Sequence, residues 1–313
     1  MINQFLILAA GVGLLYFGST ILVSGSAATA IMFSIRPVIV GLTIVSLATS
    51  APELLVSLVA AIKGSGGISI GNIIGSNVIN IALVLGVSAL LRPVSVNRQV
   101  TRIEIPYMVF TSLLFWLLCC DSHIGRMDGI ILILLLLIFL VYGILTAKNG
   151  NRGTNSQDPP ERSLGLILKN GCYVILGIVM LGAGANFLVT QAIAIASKIG
   201  LSQTFIGISV VALGTSLPEL ATSAVAAARG ESDISIGNVV GSNLFNICLV
   251  MGVVGLFNPM AIDPDLHRFQ FPFMVFISLL LGGVVYISQG VNKKTGFLFI
   301  ALFFIYILVS YFK

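Results

Sequence analysis

The sequence predicts an all-α polytopic membrane protein of ten transmembrane helices, arranged as two inverted five-helix repeats. Three observations carry this prediction. Of the 313 residues, 57% are hydrophobic and only 9% are charged, with mean hydropathy +1.09, a balance foreign to soluble domains. Apolar runs long enough to cross a bilayer, about 20 residues each, recur ten times between polar breaks. Shifted by 166 residues, the chain matches itself.

The runs lie near 3–27, 37–63, 68–91, 104–120, 127–147, 164–190, 204–228, 234–257, 269–289 and 296–312. The first, MINQFLILAAGVGLLYFGSTILVSG, has no basic start and outruns a signal peptide, so it reads as a retained span. The fifth and sixth are separated by KNGNRGTNSQDPPERS, 148–163, whose Asn, Gly, Ser and Pro content suits a flexible linker. That linker divides the chain into a first repeat, 1–147, and a second, 164–313. Residues 41–90 align without a gap on 207–256, with 28 of 50 positions identical. Because each unit holds an odd number of spans, the second copy enters the membrane from the opposite side, the inverted-repeat plan of secondary transporters.

Lys and Arg set the orientation. With the N-terminus outside, the inner loops carry 11 basic residues and the outer ones 5, so both termini are expected outside and the linker in the cytoplasm. The net charge of +5 is thus a matter of topology and not a nucleic-acid footprint. Cys119, Cys120, Cys172 and Cys248 show no CxxC spacing; they read as small buried apolar side chains, not as disulfides or a zinc site. Nothing calls for a cofactor or an obligate protein partner.

Of the eleven acidic residues, nine, among them Glu104 and Asp233, fall in loops or near span ends, where solvated or interfacial positions are expected. Only Glu53 and Glu219 lie deep within spans, and they occupy the same position of the two repeats. No Lys, Arg or His is deep enough to neutralise them. An intramembrane carboxylate without a protein counter-charge marks an ion pathway. Pro52 and Pro218 precede the two acids and remove a backbone N–H each, which predicts kinked helices with freed carbonyls. Thr49 and Thr215 stand four residues before the acids on the same helix face, with Ser50 and Ser216 beside them. In the third and eighth spans, GNIIGSNVINI and GNVVGSNLFNI place Asn72, Ser76 and Asn80, and Asn238, Ser242 and Asn246, on polar stripes. Asn77 and Asn243 lie off those stripes and suit interhelical bonding, while Gly71, Gly75, Gly237 and Gly241 suit close helix packing. The inventory is hard oxygen without sulfur or imidazole, which favours Ca²⁺ and Na⁺ over zinc or copper, and over Mg²⁺, which sheds water reluctantly.

ATSAPE and GTSLPE, each followed by GNxxGSNxxNI, resemble the two alpha repeats of the cation/calcium exchanger superfamily in its sodium/calcium exchanger branch. The resemblance covers essentially the whole chain. It implies a sodium/calcium exchanger-like fold and Na⁺/Ca²⁺ antiport by alternating access, with Glu53 and Glu219 as central ligands. Thr49, Ser50, Thr215 and Ser216 would assist them. Ser76, Asn80 and Ser242 match further ligand positions, and the carbonyls of Ser46 and Ala212 are additional candidates. It also implies that the first and sixth spans slide across the core. The sequence departs from the family at Asn246, where Asp is frequent, and at Ala48, where Gly is usual.

The expected function is an electrogenic antiporter of the cell (inner) membrane that exchanges Na⁺ for Ca²⁺. An H⁺/Ca²⁺ antiporter of the same superfamily is the alternative, although such relatives usually carry Asn before the first Glu. A passive channel would show no counter-ion dependence. An intramembrane hydrolase lacks a deep base to activate its serines, so no catalytic residue is assigned.

Overall fold

In the computed structural model, which describes residues 2–33, 35–146, 163–198 and 212–312, nearly every segment is helical. We number the helices α1 (Ile2–Phe33), α2 (Pro37–Thr49), α3 (Ala51–Ile62), α4 (Gly66–Leu91), α5 (Val100–Leu118) and α6 (Arg126–Thr146), followed by α7 (Leu164–Lys198). The remainder are α8 (Ala212–Thr215), α9 (Leu217–Arg229), α10 (Ser232–Phe257), α11 (Gln270–Ser288) and α12 (Lys293–Phe312). Among the described residues, eight helices are long and apolar enough to cross a membrane, and α2 with α3 forms a ninth, bent span. The expected seventh span, 204–228, is described from Ala212 onward as α8 and α9, and the linker 148–163 lies outside the described residues except for Ser163.

The two repeats interlock about a pseudo-two-fold axis. Asn77 faces Asn246 and Asn80 faces Asn243, so α4 climbs as α10 descends. The same reversed register joins α1 to α7. A Cβ on Gly18 would lie 3.1 Å from the Gly177 carbonyl, and one on Gly11 would lie 3.1 Å from that of Gly184. It also joins α5 to α11, where Phe115 packs on Phe271 and a Cβ on Gly282 would meet Ile105. Equivalent helices of the two halves therefore run antiparallel, as inverted repeats require.

Helices α4 and α10 sit at the centre, their apolar stretches 83% buried against 17–44% for the other long helices. On the outside, α12 packs on the end of α4 through Gly86 and Gly296, and α6 packs on the end of α10 through Gly252 and Gly129. At these places backbones meet directly, the small-residue packing that substitutes for hydrophobic drive in lipid. Two short antiparallel strand pairs close the ends: β1 (Val94–Ser95) with β4 (Gly290–Val291), and β2 (His123–Ile124) with β3 (Met260–Ala261). The lipid-facing side of α6 carries Leu134, Leu137, Ile138, Val141 and Ile144, all exposed from the protein. The pair α1 and α7 packs around Leu22, Val23 and Leu181 in a second apolar cluster that also takes in Val40 and Val45 of α2, Ala226 of α9 and Ile234 of α10.

Two expectations are corrected. Glu104 is not solvated: it is 1% exposed and pairs with Arg36 at 3.8 Å, because α5 begins at Val100, earlier than the apolar run, and takes Glu104 into the packed helix. Among the cysteines, Cys119 and Cys248 are buried as expected, but Cys120 and Cys172 are exposed.

Candidate functional site

The local backbone at the two acids differs from a kinked helix. The chain breaks outright at Ser50 (φ −81°, ψ 2°) and at Ser216 (φ −87°, ψ 5°), and α2 and α3 meet at 43°. Pro52 and Pro218 fall at the starts of the following helices, where a missing N–H leaves nothing unmade. Glu53 and Glu219 occupy the first turns of α3 and α9, at the positive end of each helix dipole. Both are fully buried.

The acids meet across the repeats by reciprocal contacts. Ser50 donates to Glu219 Oε1 at 3.4 Å, and Ser216 donates to Glu53 Oε1 at 3.3 Å. Thr49 donates to Asn238 Oδ1 at 3.2 Å and touches Ser242 Oγ at 3.4 Å, while Thr215 donates to Asn72 Oδ1 at 3.4 Å. These inner contacts are mostly longer than the 2.7–3.2 Å of ordinary bonds, so they engage the oxygens weakly. The surrounding frame is tighter: Asn238 donates to Ser223 at 2.9 Å and Asn72 to Ser57 at 3.1 Å. Asn72 and Asn238 thus hold the wall, with both ends of their amides used.

Glu53 Oε2, Glu219 Oε2, Ser76 Oγ, Asn80 Oδ1 and Asn246 Oδ1 are buried without a hydrogen-bond partner. Burying an unpaired polar oxygen is unfavourable, and here five stand on the residues that the sequence singled out. Neither of the two ion pairs among the described residues, Arg36–Glu104 and Arg268–Asp265, involves Glu53 or Glu219. No group of three or more His, Cys, Asp or Glu forms among those residues, so the acidic part of this centre is the two glutamates.

The Ser46 carbonyl already accepts from the Ser50 N–H at 2.9 Å, and the Ser46 hydroxyl donates to Gly41 O at 2.7 Å. Ala212 opens the described part of α8. Gly237 and Gly241 pack against the backbone of Val38 to Leu42, as the small-residue reading expects; the equivalent neighbours of Gly71 and Gly75, 204–208, lie outside the described residues. Sequence reasoning missed the π-helical turns that begin at Asn80 and, in the second repeat, at Phe245, immediately before Asn246. It also missed Met108 and Met274, which accept from Asn243 and Asn77. The signal was in the self-match, since Met108 and Met274 are repeat equivalents.

The sodium/calcium exchanger protein family model matches residues 3–145 and 169–312. The chain belongs to that family. Inner membrane protein YrbG of Escherichia coli is 34% identical over 281 residues, covering 88% of this chain and 86% of its own. Sodium/calcium exchanger MaX1 of Methanosarcina acetivorans is 32% identical, with 93% of each chain covered. Among solved structures, the sodium-calcium exchanger NCX_Mj soaked with Na⁺ and Sr²⁺ superimposes with TM-score 0.87 at 30% identity, over 98% of each chain. The family is one of transporters, and the exchanger fold accounts for the inverted halves and the broken helices at their interface.

Proposed function

We propose that this exchanger moves Ca²⁺ and Na⁺ in opposite directions through one site, whose ligands are Glu53 and Glu219 with Thr49, Ser50, Ser76, Asn80, Thr215, Ser216, Ser242 and Asn246. The observation that carries the reading is the set of five unpartnered buried oxygens around the reciprocal Ser–Glu contacts. Carboxylate, hydroxyl and amide oxygens suit hard cations, and a flexible set of them suits Ca²⁺. Two carboxylates balance one Ca²⁺ or two Na⁺, so either ion set neutralises the same cavity. The relatives named as sodium/calcium exchangers, and the NCX_Mj structures soaked with Na⁺, Ca²⁺ or Sr²⁺, support this choice over proton coupling.

The chain's own residues do the work of occlusion. Ser50 and Ser216 tie each half to the other half's carboxylate, so an ion that draws in both acids also draws the halves together. Two states that differ in which side reaches the site are then biased by the ion bound. The close glycine seam of α1 on α7 suits movement of that pair as one body over the α2, α9 and α10 residues it packs against. We read residues 1–147 and 164–313 as the two repeats, both termini as outside and 148–163 as cytoplasmic, from the distribution of Lys and Arg. The test is Ca²⁺ uptake by proteoliposomes: an outward Na⁺ gradient drives it if the reading holds. Uptake driven by a proton gradient and indifferent to Na⁺ overturns it.

A further inference from the structure

Asn77 and Asn243 belong to no ligand stripe, yet both are 1% exposed and accept hydrogen bonds from the stripe residues Asn246 and Asn80. Each takes part in a short chain of amides that crosses the repeat boundary. Asn80 donates through Nδ2 to Asn243 Oδ1 at 3.2 Å, and Asn243 donates through its own Nδ2 to Met108 Sδ at 3.5 Å. The mirror chain runs from Asn246 Nδ2 to Asn77 Oδ1 at 3.5 Å, and from Asn77 Nδ2 to Met274 Sδ at 3.8 Å. All six residues are fully buried or nearly so.

The direction of these chains is set at the sulfur. An amide can present either its oxygen or its NH₂ to a neighbour, but a thioether can only accept. Met108 therefore fixes which end of Asn243 turns towards it, and the oxygen left over fixes which end of Asn80 turns towards Asn243. What remains is Asn80 Oδ1, and in the mirror chain Asn246 Oδ1, the two amide oxygens without a partner. Reversing either outer amide would set its oxygen against the sulfur and leave an NH₂, in place of an oxygen, as the unpartnered end of the stripe residue.

We propose that Asn77 and Asn243, held by Met274 and Met108, are positioning residues that keep the carbonyl oxygens of Asn246 and Asn80 turned towards the transported cation. This rests on the exchange reading above. Outer partners that orient a metal ligand typically change affinity 10–100-fold when removed.

The experiment is a double-mutant cycle in proteoliposomes, reading the KM for Ca²⁺ and the maximal rate of Na⁺-driven uptake. Asn243→Leu is expected to raise the KM by about tenfold with the maximal rate kept within about twofold, and to have no further effect when added to Asn80→Ala. Met108→Leu changes little volume and keeps the fold; it is expected to raise the KM roughly threefold, the worth of one weak hydrogen bond, again only while Asn80 is present. Asn77→Leu is expected to behave alike towards Asn246→Ala. An unchanged KM in both Asn243→Leu and Met108→Leu, a loss that persists in the Asn80→Ala background, or a fall in maximal rate alone would overturn the proposal. A wild-type protein without Na⁺-driven uptake would instead overturn the exchange reading, so the two failures are distinct.

Discussion

Two carboxylates buried in a membrane core without a resident cation are tolerable only when something else meets their charge. At Glu53 and Glu219 the protein supplies part of it: the first-turn N–H groups of α3 and α9, and one hydroxyl from the opposite repeat for each acid. The second oxygen of each acid is buried without a hydrogen-bond partner, and the proposed ion would meet it. Glu53→Gln or Glu219→Gln removes one of the two charges that balance Ca²⁺, and each is expected to lower Na⁺-driven Ca²⁺ uptake by at least about a hundredfold, given several kcal/mol for a charge in a dry site. Near-normal uptake in either variant would end the two-carboxylate account. The sequence exposed these residues directly, because an acid deep in an apolar run is conspicuous and the repeat doubled it. It did not expose the partnership of Asn80 with Asn243 or of Glu219 with Ser50. Those contacts join residues 163 and 169 positions apart, and periodicity within one helix carries no information about them.

At the scale of elements, the order of the helices followed from apolar runs, while their lengths, ends and breaks did not. Proline suggested a kink at residue 52; the break falls two residues earlier, at Ser50, because proline is at ease in the first turn of a new helix. Glu104 looked solvated because its charge hid the start of α5. Its pairing with Arg36 gives a testable consequence. Arg36→Leu strands a buried carboxylate and is expected to cost about 3–5 kcal/mol of stability, whereas Arg36→Leu with Glu104→Leu should recover most of it. Thermal unfolding in detergent measures both; equal losses in the single and double variants would show that the pair is not coupled. Glycine at the α1–α7 seam is equally specific. A Cβ on Gly177 would lie 2.7 Å from Leu22 Cβ and 2.9 Å from the Gly18 carbonyl. Gly177→Leu is therefore expected to force the pair apart at about 1–3 kcal/mol, read in the same assay, and an unchanged melting temperature would contradict the close seam.

Considered as a whole molecule, the chain is one unit used twice, once in each direction. Antiparallel pairing of α1 with α7, α4 with α10 and α5 with α11 follows from an odd number of crossings per unit, and it makes the site symmetric although the membrane has two different sides. The orientation proposed above rests on the basic residues of the loops. A single cysteine replacing Asn155, in a variant whose native cysteines are removed, is expected to react with an impermeant thiol reagent only from the cytoplasmic side. Labelling from outside would invert the assigned topology.

The most direct test of the central claim is the driving force for calcium. Purified protein in proteoliposomes loaded with Na⁺ and diluted into Na⁺-free medium with radiolabelled Ca²⁺ should accumulate Ca²⁺, and collapsing the Na⁺ gradient with an ionophore should abolish the uptake. Accumulation that survives loss of the Na⁺ gradient and follows a proton gradient instead would contradict sodium/calcium exchange by this site.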